Sequence, residues 1–106
     1  MKSLEKRLKK NDTQERCGLV LKDGSVIELD NIAVDKENGY QISPADIIKY
    51  EDKMVASWHT HPGHDSNLSE KDYIGFLMWP DLTHYIVGID GVAKYTIKDG
   101  IILNAD

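Results

Sequence analysis

Three of the chain's four histidines lie within six residues, in the run His59-Thr60-His61-Pro62-Gly63-His64. In extended chain, residues two apart project to the same side, so His59 and His61 aim two imidazoles at one point. Pro62 and Gly63 then turn the chain away. Asp72, at the start of a following helix, is placed to supply a third ligand. Two histidines, one carboxylate and a water make an open four-coordinate zinc site, in which the metal acidifies the water and polarises a carbonyl. Such chemistry also requires a general base. Each piece has a plainer use as well. Ser69 and Asp72 serve equally as a helix cap and a first-turn acid, and a His-x-His pair can sit on a surface loop. His-x-His-Pro followed by Ser-x-x-Asp nevertheless fixes five residue types at set spacing, a combination rare by chance in 106 residues.

The elements that must position these residues are punctuated clearly. Leu4 and Leu8 predict a short amphipathic helix ending near Asn11-Asp12-Thr13. Leu19-Val20-Leu21 and Val26-Ile27-Glu28-Leu29 flank Asp23-Gly24, a type I′ hairpin signal. Asp90-Gly91 and Asp99-Gly100 repeat it between Tyr85–Ile89, Val92–Ile97 and Ile101–Leu103, which predicts an antiparallel meander. Ser43-Pro44-Ala45-Asp46 opens a helix whose buried side is Ile47 and Ile48. Ser69-Glu70-Lys71-Asp72 opens another, with Tyr73, Ile74, Leu77 and Met78 at helical spacing and Pro80 as its stop. Residues 54–59 read as a buried strand. The order α, β, β, α, β, α, β, β, β predicts an α/β fold with a mixed, largely antiparallel sheet flanked by helices.

At 106 residues, 1–106 is expected to be a single domain able to fold without disulfides. Thirteen basic and eighteen acidic residues give a net charge of -5, which argues against nucleic acid as the main partner. Residues 1–10 run the other way, with five bases and one acid. This arm is either a solvated face or a patch for an acidic partner. The single cysteine, Cys17, suits a reducing compartment. No apolar run approaches membrane-spanning length and no signal peptide is visible, so a soluble, cytoplasmic protein without a membrane partner is expected.

The pattern of a glutamate, then His-Ser/Thr-His-Pro, six residues, and Ser-x-x-Asp resembles the motif of the JAMM (MPN+, JAB-type) zinc metallopeptidases. Here it reads Glu15, His59-Thr60-His61-Pro62 and Ser69-Glu70-Lys71-Asp72. Glu15-Arg16-Cys17-Gly18-Leu19-Val20-Leu21 is similar to the strand start of bacterial and phage members. Tyr40-Gln41-Ile42-Ser43-Pro44-Ala45-Asp46 resembles the segment before the central helix in JAB domains of phage tail assembly proteins. The likeness spans roughly residues 12–98.

That resemblance implies an MPN/JAB-like, cytidine deaminase-like architecture and one zinc ion held by His59, His61 and Asp72, with water as fourth ligand. It implies that Glu15 is the general base and that Ser69 hydrogen-bonds the oxyanion. The implied function is hydrolysis of a peptide or isopeptide bond in a protein substrate: a tail protein, or a small ubiquitin-like or sulfur-carrier protein of the β-grasp type. In longer tail proteins the JAB domain precedes a cell-wall peptidase domain, so such a domain is an expected partner, and a phage-encoded chain would act in the host cytoplasm. A catalytically silent MPN-type scaffold is the competing expectation, although silent relatives usually lack a ligand or the glutamate. Outside the motif, His64 is open to solvent or to substrate, and Cys17 is a small core residue or a thiol near the metal. Trp58 and Trp79 are read as core or rim, and His84 as a strand residue without a catalytic task.

Overall fold

A computed structural model describes residues 2–105; Met1 and Asp106 lie outside the described residues. Among the described residues three helices, α1 (Lys2–Glu5), α2 (Pro44–Tyr50) and α3 (Glu70–Leu77), accompany six strands. The strands are β1 (Cys17–Leu21), β2 (Val26–Leu29), β3 (Met54–Thr60), β4 (Thr83–Gly88), β5 (Gly91–Lys98) and β6 (Ile101–Asn104). They form one sheet in the order β2-β1-β3-β4-β5-β6. Only β3 and β4 run parallel; the other neighbours are antiparallel. The α/β class, element order and mixed sheet follow the sequence expectation. The parallel pair exists because α3 carries the chain back over the sheet, as a crossover between parallel strands requires.

The strand registers sort the core into two faces. His59 pairs with Cys17 and Ile86, and Ser57 pairs with Leu19 and His84, so these residues share one face. Phe76 of α3 packs there with Ile86, Ala93 and Tyr95. The opposite face holds Val20, Ala56, Trp58 and Val87, covered by Leu4 and partly by Leu8. Trp58 also donates through Nε1 to Ile27 O at 3.0 Å. Its indole passes over Gly18, where a Cβ would lie 1.9 Å from Ile27 O, so only glycine fits.

The amino-terminal arm has a structural task. Arg7 reaches Val26 O at 3.3 Å and Glu28 at 3.5 Å, and its guanidinium sits 5.5 Å from the Trp58 ring centroid. Arg16 in turn forks onto both Glu28 oxygens at 2.7 and 2.9 Å and donates to Arg7 O at 2.7 Å. Leu4 and Arg7 thus clasp the arm to the sheet, while Lys6, Lys9 and Lys10 face solvent.

Four expectations are corrected. Helix α1 ends at Glu5 rather than near residue 11; Asp12 bonds the Lys9 N–H at 3.0 Å and favours turns instead. Of the three Asp-Gly turns only Asp99-Gly100 has positive φ at both residues, as type I′ requires. At Asp23-Gly24 and Asp90-Gly91 only the glycine does. Helix α2 buries no residue, and Ile48 is exposed, because α2 borders a groove and does not seal against the sheet. Helix α3 turns Asp72 and Phe76, four apart, to the sheet and leaves Tyr73, Ile74 and Met78 exposed. Phe76 docks there on Ile86, Ala93 and Tyr95.

Candidate metal centre

Strand β3 ends at the motif, and its last residues are fully buried. His59 is on the α3-covered face with no exposed surface, and His61, just past the strand, is also buried. Their Nε2 atoms lie 3.1 Å apart. Asp72 bridges them, with Oδ1 2.9 Å from His59 Nε2 and Oδ2 2.9 Å from His61 Nε2. Ligand atoms around a tetrahedral zinc with bonds near 2.0–2.1 Å are about 3.3 Å apart, so this cluster is close to the size a zinc ion demands.

The plainer use of Ser69 and Asp72 is realised together with the metal-like arrangement. Ser69 Oγ accepts from Asp72 N at 3.1 Å, and Asp72 Oδ2 accepts from Ser69 N at 3.0 Å. The reciprocal cap holds the carboxylate in place for the two imidazoles. Ser69 is itself exposed, and its hydroxyl hydrogen is not used by the cap, which takes only an oxygen lone pair.

Glu15 arrives from the other side. Its N–H donates to Lys36 O at 2.7 Å and its carbonyl accepts from Asn31 Nδ2 at 2.9 Å. Thr60, the central residue of His-x-His, accepts Arg16 N on Oγ1 and donates its own N–H to Arg16 O, both at 2.9 Å. These bonds bring the start of β1 against the end of β3. Glu15, His59 and His61 each offer a ligand atom, all within 4.8 Å of one another, and all three residues are buried. The group could hold a metal ion. Glu15 Oε1 is buried without a hydrogen-bond partner among the described residues, as is His59 Nδ1. An orphaned buried carboxylate oxygen is costly unless a cation or water meets it, so the donor set fits a metal.

The electrostatics are those of a closely held site. Burial pushes the Glu15 carboxyl up to about 7; His61 and Lys71 oppose the rise and Asp72 adds to it. Burial would also raise Asp72, but the two histidine hydrogen bonds hold it far below the usual carboxylate range. Burial lowers His59 despite Asp72, whereas for His61 the bonds to Asp72 and the Asp65 carbonyl outweigh burial and raise it.

His61 donates through Nδ1 to Asp65 O at 2.8 Å, which fixes the ring with Nε2 turned to Asp72 and the cluster, where a metal ion would replace the Nε2 proton. The loop carrying Asp65 is fixed in turn. Asp90 accepts from Ser66 N and Oγ at 2.8 and 3.1 Å, Tyr95 OH donates to Ser66 O at 2.9 Å, and Ile89 N donates to His64 O at 2.9 Å. Gly88 permits this approach, since a Cβ there would lie 2.4 Å from Asp65 C and Ser66 N. Gly88→Ala is therefore expected to displace the loop, destabilise the fold by about 2–3 kcal/mol and weaken the binding of a metal ion by the cluster about 10–100-fold through His61. Denaturant unfolding and a metal titration check this; wild-type values in both would refute the coupling.

All five motif residues meet here: the carboxylates of Glu15 and Asp72, the imidazoles of His59 and His61, and Ser69 through its cap. His64 is exposed and stays apart. Cys17 faces the same side as His59, but its Sγ points to Leu29 O and Asp30 O at 3.7 and 4.0 Å, and burial pushes the thiol up to about 12. It is a core residue. Trp58 is core and Trp79 a partly exposed rim residue. Three contributors escaped sequence reading. Tyr40 stacks on His59 with centroids 4.4 Å apart. Asn31 braces the 31–41 loop, donating to Glu15 O and Gly39 O and accepting from Ala33 N and Gln41 N. His84 is buried, accepting from Ser57 at 2.6 Å through Nδ1 and donating to Trp79 O at 3.0 Å through Nε2. None carries a local spacing signal; each is defined by partners distant in sequence.

A scan against known protein families finds no match, and a search of curated proteins finds none either. Among solved structures, the chain is similar to the solution structure of protein DSY2949 from Desulfitobacterium hafniense. The two are 17% identical, with a TM-score of 0.77 over 100% of this chain and 85% of that one. At this identity the likeness concerns the fold alone. Among the described residues no helix is long and apolar enough to cross a membrane.

Proposed function

We propose that the chain is a zinc-dependent metallopeptidase of the JAMM type, with an MPN/JAB-like arrangement of its sheet, that hydrolyses a peptide or isopeptide bond. One observation carries the reading: two imidazole nitrogens, the bridging Asp72 carboxylate and an unpartnered buried Glu15 oxygen converge on one spot. His59, His61 and Asp72 would hold the ion, which when bound supplies Lewis-acid polarisation of a carbonyl and acidifies water. Glu15, with a carboxyl held near neutrality by burial, takes a proton from water and returns it to the leaving amine. The Ser69 hydroxyl donates to the oxygen of the substrate carbonyl as charge develops there. A tail protein or a small β-grasp protein is the proposed substrate context.

Purification without chelators followed by elemental analysis is the test. About one zinc per chain is expected, removable by chelation and restored by added zinc. Protein that is metal-free and takes up no zinc would overturn the enzyme reading and leave a scaffold role.

A further inference from the structure

Beside the metal cluster lies a groove of about 750 Å³, within the size range of small-ligand and side-chain pockets. Leu19 and Met54 of the sheet, Pro44 and Ile47 of α2, Gly75 of α3 and Met78 just past its end line it. Asp72 and Tyr40 form the wall it shares with the site, since Asp72 holds both imidazoles and Tyr40 stacks on His59.

Two features say what the groove accepts. First, its polar residues on the sheet side are satisfied internally. His84 donates to Trp79 O, which leaves its Nδ1 to accept the Ser57 hydroxyl. The relay presents closed hydrogen bonds, so an apolar occupant loses nothing against it. Second, Gly75 sits inside α3, where glycine disfavours a helix by up to about fivefold relative to alanine. Unlike Gly18 and Gly88 it has no packing reason: a Cβ there would meet nothing within 4 Å. Glycine at this position leaves the groove wall without a side chain. Met78 on the rim is 72% exposed, and so offers apolar surface that an occupant would cover.

We infer that this groove binds a large apolar side chain, aromatic or branched aliphatic, of the peptide whose scissile bond lies at the metal cluster. The inference rests on the metallopeptidase reading and makes Gly75 a specificity-determining residue.

The test titrates zinc-loaded protein with N-acetyl-phenylalanine amide and N-acetyl-glycine amide, followed by backbone amide chemical shifts. Burial of the phenyl ring should make the first bind about 10–100-fold tighter, with shifts at Ile47, Gly75 and Met78. Gly75→Leu fills the groove and should abolish that preference while retaining zinc. Gly75→Ala should keep the fold, raise the melting midpoint by about 4 °C and weaken the phenylalanine probe only partly. Equal affinity for both probes, or a preference unchanged in Gly75→Leu, would overturn the inference. So would a wild-type dimer in sedimentation that Gly75→Leu converts to monomer, since a second copy would then be the occupant. If the phenylalanine preference holds but no peptide is hydrolysed, the groove stands and the peptidase reading falls.

Discussion

Glu15→Gln is expected to retain stoichiometric zinc and to lose hydrolysis by about 10²–10⁴-fold, the range attributed to a positioned general base. The substitution is nearly isosteric. The backbone bonds that place this residue, to Lys36 O and from Asn31, do not involve the carboxylate and should survive. What changes is proton affinity: an amide cannot take the proton that a carboxyl poised near 7 can exchange. A variant that keeps both metal and activity would remove Glu15 from the reaction. One that loses metal would make it a ligand, a role its place in the Glu15, His59, His61 group permits. Elemental analysis beside a peptide-cleavage assay separates the three outcomes.

Asp72→Asn is expected to keep the helix and lose the metal. An asparagine oxygen can still accept from the Ser69 N–H, so the cap should hold and the melting midpoint should stay within a few degrees of wild type. Removing the charge between two buried imidazoles should reduce zinc affinity by at least about 100-fold. Changing a residue that only orients a ligand costs about 10–100-fold, and a ligand should cost more. Unaltered zinc affinity would assign Asp72 to the cap alone. Circular dichroism melting and competition with a zinc chelator read the two effects independently.

Much of this architecture is legible in local sequence. Caps at Ser43 and Ser69, the Asp-Gly punctuation and the apolar strand runs give the order of elements, because backbone preference acts over two to four residues. The buried faces of the two later helices were decided by packing against distant segments. The sequence spacing places Tyr73, Ile74, Leu77 and Met78 at helical intervals, but α3 turns Phe76 onto Ile86 and Tyr95 instead. Helix α2 shows the same limit, since Ile47 and Ile48 suit a buried side until the neighbouring groove is seen to stay open.

The sequence by itself determined that His59 and His61 share a side, that Asp72 opens a helix a short loop later, and that an α/β chain with a mixed sheet carries them. Periodicity and capping suffice for those statements. Local spacing said nothing of Glu15, forty-four residues before His59 in the chain; the motif resemblance named it, and the tertiary structure brings it against the same cluster. Tertiary structure alone decided that Gly88 lets the Asp65 loop close on His61, and that an open groove adjoins the site. Those outcomes depend on strand order and on interatomic distances between distant segments, which no local preference encodes.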